Sequence, residues 1–213
     1  DPEKIINNFG ADAVRLFILS DSPPEKDVQW SEQGMKASYK FIQKLWTLHE
    51  KIKQIINKNI KGDKEEISKY TNQLINKVNS NLDRFNYNVI IANMYEAYNY
   101  LYKKIDNKID SENLKENYRK ILTVMSPIIP HFTSECLSEL NFETKQKWPT
   151  IDKKLLEEEQ INYVIQINGK KKGILNTYKD ISEENLLNEI KKTSDISKII
   201  VNKKIKKSFF VKN

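Results

Sequence analysis

The sequence predicts a mainly α-helical protein, in which an antiparallel helical bundle is followed by a small α+β module. Two observations lead to this fold class. Through most of the chain, apolar residues recur every three or four positions, which is the spacing of amphipathic helices. After Trp148-Pro149 the period drops to two, and an Asn-Gly pair separates two apolar runs, as in a β-hairpin.

The first 30 residues predict two helices and a charged loop. Asp1-Pro2 is typical of a helix start, with an acid at the N-cap and proline at the first helical position, and Gly10 is the expected C-terminal stop. The stretch ADAVRLFILS is apolar almost all round, so we expect a helix that is buried on most sides. It ends before Pro23-Pro24, because proline disfavours helix at its own position and at the preceding residue.

Residues 31–150 predict four long helices and a short fifth. Ser31 is a partial N-cap signal for the first helix, and short polar joints separate the others. Pro127 ends the fourth helix, and the fifth runs from Pro130 to Leu140. The apolar faces of the four long helices are Phe41, Leu45, Leu48, Ile52 and Ile55; Ile67, Tyr70, Leu74, Val78, Leu82 and Phe85; Ile90, Met94, Ala97, Tyr98, Leu101 and Ile105; and Leu114, Tyr118, Ile121, Leu122 and Met125.

Residues 161–213 predict a small ββαββ module. In the run YVIQINGKKKGIL, apolar residues alternate up to Asn168-Gly169, which is a strong hairpin signal because both turn positions need positive φ. The return strand is expected at Gly173–Tyr178, and a helix with acids in its first turn is expected from Ser182. The remaining elements are two strands, at Ile196–Val201 and Ser208–Val211.

The net charge of +7 lies at one end of the chain. Residues 1–160 contain 24 Lys plus Arg against 24 Asp plus Glu, whereas residues 161–213 contain 12 against 5. One explanation is a well-solvated surface. The alternative is a polyanion-binding module, since clustered Lys and Arg displace the counterions of nucleic acids. Because lysines cluster at both hairpin turns of this small module, we favour contact with RNA.

Composition excludes several classes of protein. No window approaches the ~18 uninterrupted apolar residues of a membrane span, and the N-terminal residues lack a signal-peptide pattern, so we expect a soluble, unexported protein. A single cysteine, Cys136, excludes an internal disulfide, and His49 and His131 are too far apart in sequence to build a zinc site with it. We therefore expect a reducing cytosol and no metal site.

Four isolated side chains favour structural roles. Trp30 is expected to anchor its loop to the core. Arg15, inside an apolar helix, needs a carboxylate or phosphate partner, and we expect an internal one. His131 has no carboxylate or nucleophile near it in sequence, so we expect capping or packing rather than base catalysis. Cys136 is expected in the core.

Five stretches carry a family resemblance: DPEKIINNFGADAVRLFIL, SDSPPEKDVQWSEQGMKASYKFIQKLW, FNYNVIIANMYEAYNYL, MSPIIPHFTSECLSEL and VIQINGKKKGIL. Together they resemble the leucyl-tRNA synthetases of the bacterial and organellar type, which are class I aminoacyl-tRNA synthetases. GADAVRLF is shared among several class I synthetases, whereas SPPEKDVQWSEQG is similar to the leucine enzymes in particular. The resemblance covers nearly the whole chain.

The resemblance implies the C-terminal part of a larger enzyme that uses ATP to attach leucine to tRNA(Leu). In that family the ATP-binding domain, the editing domain and the KMSKS-type loop precede this region, and this chain has no HxGH, KMSKS or Gly-rich phosphate motif. We therefore expect no catalytic residue and no ATP site in the chain itself. The expected partners are tRNA(Leu) and the missing catalytic and editing domains, and the expected state is a cytoplasmic monomer.

The implied domains are a connector to the catalytic domain at 1–30, an anticodon-binding-type bundle at 31–150, a linker at 151–160 and a basic tRNA-binding module at 161–213. The linker contains the acidic run LLEEEQ. The residues predicted to bind tRNA are Lys170, Lys171, Lys172, Lys203, Lys204, Lys206, Lys207, Arg84 and Arg119.

We expect these residues to contact phosphate and ribose groups, and such contacts position RNA without reading its sequence. For Arg84 and Arg119, bidentate pairing with carboxylates is the alternative. Phe209 or Phe210 would stack on a base if one of them is exposed.

Two alternatives stay open. The chain could be the equivalent region of an isoleucyl, valyl or methionyl enzyme, against which the SPPEKDVQW stretch argues. It could also be a helical protein-interaction scaffold with a basic tail, which would show no affinity for tRNA.

Overall fold

The computed structural model describes residues 2–21, 26–105, 108–156, 160–178, 181–192 and 209–210. The chain divides into two units, Asp1–Leu156 and Glu157–Asn213. The first unit is helical, and the described part of the second pairs a β-hairpin with one helix. The predicted fold class is therefore confirmed.

Seven α-helices are described in the first unit, and they match the predicted order. They are α1 (Pro2–Phe9), α2 (Ala11–Asp21), α3 (Glu32–Asn57), α4 (Glu65–Leu82), α5 (Tyr87–Lys104), α6 (Ser111–Met125) and α7 (Pro130–Glu139). Short connections make consecutive helices of the bundle antiparallel. A short 3-10 helix, Lys153–Leu156, packs against α4 where the linker was predicted to begin. None of the helices described is both long and apolar enough to span a membrane.

Local signals set several helix ends. Gly10, at φ +80°, follows α1 in the left-handed region that glycine adopts without steric cost. At the start of α3, the Ser31 hydroxyl accepts a hydrogen bond of 3.1 Å from the backbone N–H of Gly34. The carboxylate of Asp110 does the same for Asn113 at the start of α6, at 3.0 Å. Each cap satisfies a backbone donor that the helix itself cannot.

The predicted apolar faces form the core of the bundle. On α3, all five predicted positions are buried, and so are those of α6. Phe85 was wrongly assigned to the core, because α4 ends at Leu82 and the ring of Phe85 is 61% exposed. The expectation that α2 is buried on most sides is confirmed, since Arg15 and Ile18 are the exposed residues among positions 11–20 and they lie one turn apart on the same side of the helix.

Arg15 and Trp30 have internal contacts. The guanidinium of Arg15 donates to the backbone carbonyls of Ile128 (3.0 Å) and Pro127 (2.7 Å), just beyond the end of α6. The predicted carboxylate or phosphate partner is therefore wrong, because carbonyls at a helix end lack helical donors and attract cations. Trp30 packs edge-on against Phe17 at 5.3 Å between ring centroids, yet 52% of it stays exposed.

Asp12 caps α7 from a distant part of the sequence. Its buried carboxylate accepts hydrogen bonds from the backbone N–H groups of Phe132 (2.6 Å) and His131 (3.3 Å), and it lies 2.8 Å from Nδ1 of His131. A carboxylate at this end of a helix also interacts favourably with the helix dipole. The capping role predicted for His131 is thus performed by Asp12, and the fold supplies a carboxylate partner that sequence proximity did not reveal.

His49 is fully buried at the centre of a polar cluster. Its Nδ1 lies 3.1 Å from the Tyr118 hydroxyl and its Nε2 lies 3.1 Å from a carboxylate oxygen of Glu139. A neutral ring satisfies both contacts by donating from Nε2 and accepting at Nδ1. The cluster joins α3 to α6 and α7 through one side chain.

The second unit contains β1 (Gln160–Ile167), β2 (Lys170–Tyr178) and α8 (Glu183–Lys192). Asn168 (φ 51°) and Gly169 (φ 76°) form the predicted turn. Tyr163, Leu186 and Ile190 are buried between the hairpin and α8. The two predicted strands at 196–201 and 208–211 fall outside the described residues, apart from Phe209 and Phe210.

The connection between α3 and α4 packs tightly against the connection that precedes α6. The backbone N–H of Asp63 donates to the carbonyl of Lys108 (2.7 Å), and that of Asp110 donates to the carbonyl of Asp63 (3.0 Å). A Cβ at Gly62 would lie 2.0 Å from the carbonyl oxygen of Lys108, well inside van der Waals contact. This crossing therefore requires glycine.

Replacing Gly62 with Ala should destabilise the first unit by about 2 kcal/mol or more, because the clash is with backbone that is held by hydrogen bonds. Urea unfolding followed by circular dichroism measures this change. The exposed neighbour Lys61 provides the control, since Lys61→Ala should stay within about 0.5 kcal/mol of the parent chain. Equal stabilities of the Gly62→Ala and Lys61→Ala variants would contradict the predicted clash.

The stability of the first unit should fall as the pH falls below about 6.5, the ordinary pKa of histidine. Burial lowers the pKa of His49 and outweighs the opposing effect of Glu139. The unfolded chain therefore binds this proton at a higher pH than the folded protein does, and the free energy of unfolding decreases with a slope of at most ~1.4 kcal/mol per pH unit.

Urea titrations of the parent chain and a His49→Gln variant between pH 5.5 and 7.5 measure this slope. The variant should show a shallower pH dependence, whatever its absolute stability. Hydrogen bonding from Lys53 lowers the pKa of Glu139 below its ordinary 4.5, so that carboxylate does not titrate in this window. The same slope in both proteins would show that His49 is not responsible.

Candidate nucleic-acid interface

The hairpin places three predicted RNA-binding lysines at the start of β2. Lys170, Lys171 and Lys172 are all exposed. The return strand is longer than predicted, since it begins at Lys170 rather than at Gly173. The lysines therefore belong to the hydrogen-bonded hairpin and have a defined strand register.

A register shift decides which way these lysines face. Lys170 lies opposite Ile167 and Lys171 opposite Gln166, whereas Gly173 lies opposite Ile165. Lys172 is therefore the extra residue of a β-bulge, which interrupts the alternation of side chains along the strand.

The two faces of the hairpin differ in burial. One face, hereafter the inner face, contains Tyr163, Ile165, Ile167 and Leu175, which belong to the apolar cluster with α8. The opposite, outer face contains exposed Val164 and Gln166. Lys171 shares the outer face with its partner Gln166, and alternation from Gly173 places Lys172 there too. The bulge thus places Lys171 and Lys172 on the same side, although neighbouring residues face opposite sides in a regular strand.

The described residues on the rest of the outer face are uncharged. Val164 and Ile174 form a cross-strand pair in which each residue is 52% exposed. Beyond them, the Asn176 amide donates to that of Asn162 at 2.9 Å. In the described part of this unit, the acidic residues all lie on α8; they are Glu183, Glu184 and Glu189. The lysines of the outer face therefore meet no described carboxylate on their own strands.

The second predicted group of lysines lies outside the described residues. It consists of Lys203, Lys204, Lys206 and Lys207. Of the two aromatic candidates, Phe209 is 82% exposed, whereas Phe210 is half-buried with its ring centroid 5.7 Å from that of Tyr163. Phe209 is thus the one with a ring surface open to solvent, and its role in stacking stays a prediction.

The two candidate arginines of the bundle differ in their contacts. Arg119 contacts the carboxylate of Glu116 through Nε (3.1 Å) and Nη2 (3.0 Å), and its Nη1 donates to Gln146 at 2.8 Å. Arg84 is exposed in the loop between α4 and α5. Arg119 therefore pairs with a carboxylate in this structure, as the alternative to phosphate binding predicted. Arg84 is exposed and available to a ligand. Contact of either residue with tRNA stays a prediction.

One cluster in the bundle has the composition of a metal site. Ligand atoms of His49, Glu50 and Glu139 lie within 4.8 Å of one another. The ammonium of Lys53, however, contacts the carboxylate of Glu139 and that of Glu50 (3.1 Å). Since a cation of the protein itself already bridges these carboxylates, we assign no metal site to the cluster. Cys136 is buried nearby as predicted, and burial raises the pKa of its thiol.

Comparison with known proteins gives a consistent result. Residues 63–187 match the family described as the anticodon-binding domain of tRNA ligase. The chain is similar to three proteins named leucine–tRNA ligase. It is 35% identical to that of Orientia tsutsugamushi (strain Boryong), over 100% of this chain and 26% of the relative. It is 32% identical to those of Bartonella tribocorum and Fervidobacterium nodosum, over 99% of this chain and 25% and 27% of the relatives.

A solved structure resembles the fold of the whole chain. It is the crystal structure of the ternary complex of Agrobacterium radiobacter K84 LeuRS with tRNA and LeuAMS, which superposes with a TM-score of 0.83 over 99% of this chain and 29% of that protein, at 23% identity. The chain spans about a quarter of the length of the curated relatives it matches. The resemblance to leucyl-tRNA synthetases is thus confirmed. Since the family match covers more than half of the 213 residues, the chain belongs to the family of anticodon-binding domains of tRNA ligases.

Proposed function

We propose that this chain is the tRNA-binding C-terminal part of a leucyl-tRNA synthetase and that it positions tRNA(Leu) for active sites located elsewhere in the protein. The curated relatives are named leucine–tRNA ligase, and the solved relative was crystallised with tRNA. These names favour the leucine enzyme over the isoleucyl, valyl and methionyl alternatives. A helical interaction scaffold has less support, because it leaves the basic hairpin unexplained.

The observation that carries the proposal is the pair of exposed lysines on the outer face of the hairpin. Lys171 and Lys172 extend from a strand whose register is fixed, next to neutral side chains. Ammonium groups in such a setting bind phosphate oxygens by charge, without discriminating between bases. Their role would therefore be to hold the tRNA backbone in place.

Charge assigns different roles to residues 1–160 and residues 161–213. Residues 1–160, which comprise the bundle and the acidic linker, carry 24 basic and 24 acidic side chains, so this part of the chain has no net charge with which to attract RNA at long range. The excess in residues 161–213 would draw the phosphates to the small unit first. The bundle would then act mainly through shape and through single contacts such as Arg84.

We propose that the complete protein uses ATP to activate leucine, and that it works in the cytoplasm as a monomer. The motifs expected for that chemistry do not occur in these 213 residues. The chain alone should therefore show no leucine-dependent exchange of pyrophosphate into ATP. Exchange above background from the purified chain would contradict this assignment.

Replacing Lys170, Lys171 and Lys172 together with Gln should weaken tRNA binding. We expect the affinity at moderate salt to fall by about tenfold or more, and the slope of log K against log salt to decrease by about 0.7–0.9 for each phosphate that the variant no longer neutralises. Filter binding of a tRNA(Leu) transcript over a series of KCl concentrations measures both quantities.

The matched control removes three positive charges from the bundle. Lys36, Lys77 and Lys104 each form a described ion pair with a glutamate, so Lys→Gln at these positions changes the net charge equally without removing free ammonium groups. This control should keep most of the affinity and the slope. If both triple variants lose the same affinity, only net charge matters, and the hairpin has no special role.

A further inference from the structure

The loop between α4 and α5 presents an aromatic ring to solvent. Phe85 is 61% exposed, and its backbone has φ +56°. That left-handed conformation is unusual for a bulky residue. Strained backbone tends to persist where the surrounding structure holds it, often at a binding site.

Hydrogen bonds fix this loop. The backbone N–H of Phe85 donates to the carbonyl of Leu82 (3.0 Å), and that of Asn86 donates to the carbonyl of Asn81 (2.9 Å). The side-chain amides of Asn86 and Asn81 also meet, at 3.4 Å. The ring is thus held outward on a rigid support, so a ligand that stacks on it would lose little free energy in ordering the loop.

The ring of Phe85 is less covered than other exposed rings of the bundle. Among the described residues, the ring of Phe85 meets the ring of Tyr87 edge-on, with 6.2 Å between the two ring centroids. Tyr102, at the other end of α5, is 55% exposed, but the ammonium of Lys51 lies 4.7 Å from its centroid and Tyr98 stacks beside it. Phe85 therefore has aromatic surface free for a ligand, whereas Tyr102 is already engaged.

The residue adjacent to Phe85 offers a cation beside the flat ring. Arg84 is exposed, and no ion pair joins it to another described residue. The N-terminus of α5, which has no side-chain cap, follows the loop, while Asp83 and the C-terminus of α4 precede it, so the guanidinium is the group that would attract an anion. Within the loop of residues 83–86, Phe85 is the one apolar residue. A single exposed ring beside a guanidinium fits a nucleobase with its phosphate better than the apolar surface of a protein.

We propose that Phe85 and Arg84 form a binding site for an unpaired base of RNA, with the ring stacked on the base and the guanidinium on a neighbouring phosphate. This inference rests on the proposed function, since it assumes that the bound polyanion is tRNA. Bases in a duplex are stacked on each other, so a single protruding ring would select a base from a loop or another unpaired segment. The bundle would thereby contribute a preference for unpaired RNA that the lysines of the hairpin cannot supply.

The variant Phe85→Asn tests the proposal, because it separates binding from folding. Asparagine tolerates the left-handed conformation, so the thermal unfolding temperature should stay equal to that of the parent chain or rise. Loss of the stacking ring should nevertheless weaken binding by about tenfold, as expected for one base–aromatic stack. A purely structural role of Phe85 would not give this combination.

The probes are a tRNA(Leu) transcript, an RNA hairpin with 2-aminopurine in its loop, and the same stem as a closed duplex. The parent chain should change the 2-aminopurine fluorescence and bind the hairpin more tightly than the duplex, and Phe85→Asn should reduce both effects. Phe85→Trp should keep them, because it retains an aromatic face. Tyr102→Asn is the matched control and should behave like the parent chain.

Unchanged binding by Phe85→Asn, or equal affinity of the parent chain for hairpin and duplex, would overturn the inference. If the hairpin lysine variant still loses affinity in that case, the proposed function stands and only the Phe85 site is wrong. If the parent chain binds none of the three RNAs, both the proposed function and this inference are wrong.

Discussion

Burial of one apolar face of α3 is the interaction on which the rest of the first unit depends. Its five residues, Phe41, Leu45, Leu48, Ile52 and Ile55, are each at most 8% exposed. Truncating one such side chain typically costs ~2–5 kcal/mol, a large fraction of the ~5–15 kcal/mol that stabilises a domain. The same helix buries His49, whose two ring nitrogens contact Tyr118 of α6 and Glu139 of α7. The apolar face thus stabilises the packing of α3 in the bundle, and the histidine adds polar contacts to α6 and α7 in particular.

Hydrogen bonds then position α2 and the loop of Phe85, which the proposed function needs. Asp12 holds the start of α7 against α2, and Arg15 holds the end of α6 against the same helix. Helix α2 is therefore attached to the bundle by polar contacts as well as by apolar packing, which suits the predicted connector to a catalytic domain. The same principle fixes the loop of Phe85, where hydrogen bonds maintain a backbone conformation that the side chain alone would not favour.

Features with local signals could be predicted from the sequence, and features that depend on distant contacts could not. Apolar residues three or four positions apart located the buried face of α3, and Asn168-Gly169 located the hairpin turn. Each pattern depends on nearby residues alone. The capping of α7 by Asp12 joins residues 120 positions apart, and no periodicity reports it. Phe85 continued the spacing of α4, but the helix ends three residues earlier. Residue type alone identified the lysines of the candidate site, whereas the shared face of Lys171 and Lys172 depends on a β-bulge that the sequence did not reveal.

The central claim is that the small basic unit provides most of the attraction for tRNA. The most direct test compares the whole chain with a version truncated after Gln160, by measuring affinity for a tRNA(Leu) transcript as a function of salt. Circular dichroism would first establish that the truncated bundle is folded. We predict that truncation sharply lowers the affinity and removes most of the salt dependence, since the remaining residues carry equal numbers of basic and acidic side chains. An unchanged affinity and an unchanged salt slope would contradict the account.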